Sequence, residues 1–175
     1  MLNKYNRYKL LKVFLDSSLD SFRLRELSRI SKISPASVMN YLKEFEKSEL
    51  IRKYEKRGIP YYQAERDNEN FIFYKKMSIL YELKNSGLID YLWDNVHPEA
   101  IILYGSYSKG ESVENSDLDI FIVGKEKKIT LEKFENILNK KIHLIFNDNL
   151  KKIPKELKNN LINGIILKGY FKVLT

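Results

Sequence analysis

The chain has 175 residues, 43% of them apolar, with 31 Lys and Arg against 23 Asp and Glu and a formal net charge of +8. That length allows one large or two small domains, and no apolar run approaches the roughly 20 residues that a membrane-spanning helix needs. The absence of Cys excludes disulfides and thiolate zinc sites, two His argue against structural zinc, and the N-terminus MLNKYNRYKLLKVFLDSS lacks a signal-peptide pattern, so a cytoplasmic protein is expected.

Lys4 to Leu15 reads as a helix, with Leu11, Phe14 and Leu15 at i, i+3 and i+4. Phe22 to Ile30 reads as a second, with Leu24, Leu27 and Ile30 on one side. Ser34 is a good N-cap and Pro35 suits the first turn of a third helix. Its apolar stripe is Val38, Leu42 and Phe45, and its opposite face shows Ser37, Asn40, Tyr41 and Glu44. Leu50 to Tyr54 and Tyr61 to Gln63 then read as two strands around a basic turn, Glu55 to Pro60. The charge is concentrated here. Residues 1–66 hold 15 Lys and Arg against 8 Asp and Glu, a net +7, whereas residues 67–96 carry −2 and residues 97–175 carry +3. A basic first third points to a polyanionic partner.

Three helices, a polar-faced third helix with a Ser-Pro start and a basic hairpin form the pattern of a winged helix-turn-helix. The stretch RELSRISKISPASVMNYLKEFEKSELI resembles bacterial and archaeal winged-helix regulators, over about residues 5–65. The resemblance implies double-stranded DNA as partner, with the third helix leading into the major groove. It places Ser34, Ala36, Ser37, Asn40 and Tyr41 at base edges, where Asn pairs with adenine and Ala touches a thymine methyl. Lys43, Lys53, Lys56 and Arg57, with Arg29, Lys32 and Arg52, would meet phosphates. The competing reading is a winged helix used for protein contact, which Glu44, Glu46 and Glu49 keep open.

Residues 67–96 join this part to the next. Phe71 to Leu83 reads as helical, Asn85-Ser86-Gly87 as its stop, and Leu88 to Val96 as a second short helix. The aromatic surplus of this segment has two readings, packing between domains or a homodimer interface.

The most informative stretch is residues 103–123, LYGSYSKGESVENSDLDIFIV. Ile101-Ile102-Leu103 reads as a buried strand ending at a Gly-Ser turn. Gly105 lets the backbone approach a ligand closely, and Ser106 offers a hydroxyl beside amides able to cradle an anion. Asp117 and Asp119 lead into the apolar strand Ile120 to Val123, so alternation aims both carboxylates from one face. Two carboxylates beside a phosphate-binding turn suit Mg²⁺, whose remaining sites substrate phosphates can fill. Thr130 to Leu138 and Pro154 to Leu161 read as helices, Lys141 to Phe146 and Ile165 to Leu167 as strands.

On Gly105, Ser106, Gly110, Ser116, Asp117 and Asp119, this part resembles the polymerase β-type nucleotidyltransferase superfamily in its minimal prokaryotic branch, over about residues 97–170. The resemblance implies an α/β fold with a small mixed sheet and ATP or another nucleoside triphosphate as donor. It implies Mg²⁺ or Mn²⁺ on Asp117 and Asp119, and donor phosphates on the turn. A third carboxylate of the family belongs on a later strand, where this chain has His143, a poor Mg²⁺ ligand able to act as a base. Asp148 is the alternative if the strand register is shifted.

The expected layout is therefore a winged helix-turn-helix at 1–66, a helical linker at 67–96 and a nucleotidyltransferase-like α/β domain at 97–175. The first functional reading is a DNA-binding transcriptional regulator whose C-terminal domain binds a nucleotide and Mg²⁺ with impaired catalysis. The second is an active nucleotidyltransferase moving NMP to a hydroxyl on a protein, RNA or small molecule. In that antitoxin-like case, a small ribonuclease toxin would be a partner.

Overall fold

The computed structural model describes residues 5–148 and 153–170. The chain divides into two compact units, Met1–Ser78 and Ile79–Thr175.

The first unit runs α1 (Asn6–Asp16), β1 (Ser21–Phe22), α2 (Leu24–Ser31), α3 (Pro35–Lys47), β2 (Ile51–Lys56), β3 (Ile59–Ala64) and the start of α4 (Glu69–Ser86). Its three strands form an antiparallel sheet in the order β1-β3-β2. Leu10, Leu11, Phe14 and Leu15 of α1 meet Leu27, Val38, Leu42, Phe45 and Phe71 in one core. α3 starts where its sequence dictates. Ser34 Oγ accepts the Ser37 amide hydrogen bond at 3.3 Å, and Pro35 follows where a missing N–H costs nothing. α2 departs from expectation at both ends. Phe22 lies in β1, edge-on to Phe14, and not in the helix. Ile30 is 55% exposed, because the buried residues of α2 are Leu27 and Ser31, one turn apart.

The hairpin is longer than its apolar residues suggest. Lys56 pairs with Ile59 across a two-residue turn, Arg57-Gly58, with φ of 55° and 73°. Two positive φ values give the turn whose twist matches that of the strands. Pro60 is accommodated inside β3 because its pairing with Glu55 is flanked by the turn-closing pair, which makes it a non-hydrogen-bonded position. Its nitrogen therefore faces the other edge, where β1 pairs only with Tyr62 and Gln63.

The second unit contains the rest of α4, then α5 (Leu88–Val96), β4 (Ala100–Leu103), α6 (Gly105–Lys109), β5 (Leu118–Val123), α7 (Glu132–Leu138), β6 (Ile142–Asn147), α8 (Lys155–Ile162) and β7 (Ile165–Gly169). The sheet order is β6-β5-β4-β7, with β5 parallel to β6 and the other pairs antiparallel. Both faces are covered. Ile101, Leu103, Leu118, Ile120 and Ile122 join Leu83, Leu88, Leu92 and Phe134 in one layer. Ala100, Ile102, Tyr104, Phe121 and Val123 join Ile153 and Leu161 in the other. A strand buried on both faces is apolar at every position, which is why β4 and β5 read as unbroken runs. Asp119 is the one charged residue within β5. No helix among the described residues is long and apolar enough to cross a membrane.

Candidate functional site

The site forms where β4 ends and β5 and β6 begin. The parallel register sets Asp119 directly opposite His143. Side-chain alternation puts Asp119 on the face that carries Phe121 and Val123, away from the layer of Leu118 and Ile120. His143 Nδ1 lies 3.3 Å from Asp119 Oδ1, with the imidazole 59% and the carboxylate 26% exposed. Asp117 is exposed and sits just ahead of β5.

The Gly-Ser turn lies against that carboxylate. Gly105 has φ +72°, and a Cβ built there would overlap Asp119 Oδ2. Only a residue without a side chain fits both the conformation and the space. What reads as a simple turn in the sequence is a five-residue helix, α6, capped at its end by Gly110 with φ 77°. Ser108, which the sequence did not single out, is buried and donates its hydroxyl to the Gly105 carbonyl at 2.8 Å. Ser116 Oγ accepts from the Val113 amide at 2.8 Å and closes the turn into β5. Ser106 Oγ makes no hydrogen bond to another described residue and is half-buried.

Tyr104 was also missed by the sequence reading. It is 7% exposed, between β4 and α6, and its amide donates to the Asp119 carbonyl at 3.1 Å. Burial, then the negative charge of Asp119, pushes the Tyr104 hydroxyl up to about 12. Its signal was its place between the apolar run and Gly105, which an aromatic residue in a two-sided sheet conceals. Asp148 lies just past the end of β6, five residues on from His143 and so roughly 16 Å along the strand direction. The register thus leaves His143 as the β6 residue beside the Asp pair.

Two carboxylates and an imidazole are donors suited to a divalent ion that keeps sites for phosphate and water. Among the described residues, no group of three or more His, Cys, Asp or Glu side chains is placed to hold an ion alone. His143 and Asp119 stand 3.3 Å apart, and Asp117 does not complete a three-donor group with them.

The residues expected to contact DNA lie in the first unit. Ala36 and Asn40 are exposed on α3, Ser34 and Ser37 are engaged with each other at the helix start, and Tyr41 packs partly against the core. Lys43, Lys53, Lys56 and Arg57 are exposed and form no ion pair with another described residue. Glu44 is paired with Arg7 at 3.1 Å. On the hairpin, Tyr54 and Tyr61 stack at 5.8 Å, and the Arg23 guanidinium lies 5.1 Å from the Tyr61 ring centre.

Comparison with known proteins bears on the second unit. Residues 86–170 match the family described as Polymerase beta, Nucleotidyltransferase. No curated protein and no solved structure matches the chain. The matched segment spans α5 and the whole four-stranded mixed sheet, an architecture that fits that family. Over residues 86–170 the chain therefore carries a polymerase β-like nucleotidyltransferase domain.

Proposed function

We propose that this protein is a DNA-binding regulator whose C-terminal domain binds a nucleoside triphosphate with a divalent metal. The nucleotide reading rests above all on Gly105. Its missing side chain lets the first turn of α6 lie against the Asp119 carboxylate. The first amides of a helix have no intrahelical carbonyl partners, so they are available to phosphate oxygens. Ser106 adds a hydroxyl there. Asp117 and Asp119 would hold the metal, which when bound neutralises phosphate charge and orients the triphosphate. Gly110 ends α6 and Ser116 closes the loop into β5, so both shape the turn assigned to the nucleotide.

The same geometry argues for weak transfer. His143 stands opposite Asp119 on β6; we assign it the place of the family's third carboxylate, where an imidazole adds no negative charge. The alternative, an active transferase, is favoured by the intact turn and Asp pair. Calorimetry with ATP and Mg²⁺ or Mn²⁺ tests the reading. Binding is expected, and Asp117→Asn with Asp119→Asn should weaken it while the far-ultraviolet spectrum stays unchanged. Equal affinity in the double variant would overturn it. Labelled ATP incubated with a cell extract separates binder from transferase.

For residues 1–66 we infer a winged helix-turn-helix, joined through residues 67–96 to the nucleotidyltransferase-like part, 97–175. The support is the order α1-β1-α2-α3-β2-β3, the sheet β1-β3-β2, and the exposed cations Lys43, Lys53, Lys56 and Arg57, which form no ion pair with another described residue. Affinity for duplex DNA should fall steeply with salt, and Lys56→Ala with Arg57→Ala should lower the salt slope by about two. Asn40→Ala should instead relax preference at one base pair, by roughly 1–3 kcal/mol. Absence of duplex binding at low salt across a random library would leave a protein-contact module.

A further inference from the structure

We propose that His143 is a metal-binding residue, and that its Nδ1 and Asp119 Oδ1 together make this site prefer a transition ion such as Mn²⁺ over Mg²⁺. The inference rests on the nucleotide-binding reading above and specifies the ion that accompanies the nucleotide. Neighbouring donors around an octahedral ion with bonds of about 2.1 Å lie about 3.0 Å apart. Neighbouring donors around a tetrahedral ion with similar bonds lie about 3.4 Å apart. The observed 3.3 Å between Nδ1 and Oδ1 falls within that range.

The backbone fixes this pair. Residues 119 and 143 are opposed in a parallel register, and β5 is paired on both sides. Asp119 Oδ2 lies against Gly105, which leaves Oδ1 turned toward β6. The imidazole is 59% exposed, so its nitrogen can leave a hydrogen bond for a metal bond without unpacking the core. Asp117, exposed two residues before Asp119, would supply a second carboxylate only on metal binding, since no three such groups already converge among the described residues, and nucleotide phosphates and water would fill the remaining positions.

The choice of ion follows from donor chemistry. Mg²⁺ is hard, binds oxygen and dehydrates reluctantly, so it gains little from an imidazole. Mn²⁺, Co²⁺ and Zn²⁺ accept nitrogen and carboxylate donors together, with affinity generally rising along the transition series. A carboxylate at position 143 would draw Mg²⁺ and Mn²⁺ alike. An imidazole there strengthens binding of the second class only.

The test uses the full chain with a non-hydrolysable ATP analogue. Calorimetry gives affinities for Mn²⁺ and Mg²⁺ with and without the analogue, for the native protein, His143→Ala and His143→Asp. Pulsed electron paramagnetic resonance on the Mn²⁺ complex reports directly on a bound nitrogen. Expected are ¹⁴N modulation in the native complex that disappears in His143→Ala, and a Mn²⁺ over Mg²⁺ preference that drops by about tenfold or more. His143→Asp should recover Mg²⁺ affinity. If the analogue binds with either ion, no ¹⁴N modulation appears and the preference is the same in His143→Ala, this inference fails and the nucleotide reading stands. If the folded protein binds neither ion nor the analogue, both fail.

Discussion

Gly58 and Gly105 share nearly the same φ, +73° and +72°, in different surroundings. A Cβ on Gly58 would meet nothing within 4 Å, whereas one on Gly105 would run into the Asp119 carboxylate. The pair therefore separates conformational cost from steric cost. Gly58→Ala should destabilise by about 1–2 kcal/mol, the left-handed penalty alone. Gly105→Ala should cost roughly 2–4 kcal/mol in urea denaturation, because crowding adds to that penalty, and should also abolish nucleotide binding. Equal losses at the two positions would show that Asp119 swings aside freely. The Tyr104 hydroxyl gives a second residue-level test. Its folded value, about 12, exceeds the ordinary 10, so the folded state keeps a proton that the unfolded chain has released. The associated stability is present below pH 10 and is lost as pH rises through about 12. Tyr104→Phe should flatten the fall in urea midpoint between pH 10 and 12. A phenolate absorbance titration should lose a late component in the same variant.

Glu135 of α7 holds the start of β6, one residue ahead of His143. Its carboxylate accepts from the Ile142 amide at 3.0 Å and pairs with Lys141 at 3.5 Å. The amide hydrogen bond, chiefly, and the nearby Lys141 charge hold this carboxyl below its ordinary 4.5, against a smaller opposing effect of burial. A depressed acid stabilises the fold above its unfolded value and loses that contribution as pH falls through the folded one. Glu135→Gln should therefore flatten the acid side of the stability profile below pH 4.5, measured by urea midpoints. An unchanged acid limb would show that α7 does not hold β6 through this contact. Helix α3 was legible because its determinants are local: Ser34, Pro35 and the spacing of Val38, Leu42 and Phe45. β4 and β5 were legible as unbroken apolar runs, and the facing of His143 through the alternation of Ile142, Leu144 and Phe146 around it. β1 was not, since Ser21 and Phe22 become a strand only by pairing with Gln63 and Tyr62, some forty residues on. Nor was α6, whose residues GSYSK show no apolar period and are helical through the Gly110 cap and the Ser108 bond. The hairpin strands ran past their expected ends because a two-residue turn, not a six-residue one, joins them.

At the scale of the molecule, α4 serves two cores. Phe71 is fully buried in the first, while Ile79 and Leu83 are buried in the second. Lys75 donates to Ser18 at 3.2 Å, and Ser78 bonds the Tyr8 hydroxyl at 3.0 Å, so the first unit needs chain well beyond the hairpin. A fragment of residues 1–66 loses all of these, and removal of a buried Phe alone costs about 3–5 kcal/mol, comparable to the stability of a small domain. Residues 1–86 should therefore melt cooperatively by circular dichroism, and residues 1–66 should not. A cooperative transition of equal midpoint in the shorter fragment would contradict this.

The sheet order β6-β5-β4-β7 also sets a sequence of events in time. β4 reaches β5 across residues 104–117, and β5 reaches β6 across 124–141, whereas β7 returns to β4 only after residues 104–164. Closing a longer loop costs more chain entropy, so the late pairing is the slow one to form. β7 is an edge strand with Ile166 half-exposed, whereas β5 is paired on both sides and almost wholly buried. β6, the other edge strand, joins β5 across the shorter connection, so the register that opposes Asp119 to His143 forms before β7 meets β4. Release of β7 would leave the Asp119–His143 register intact, whereas release of β6, the opposite edge, would break it.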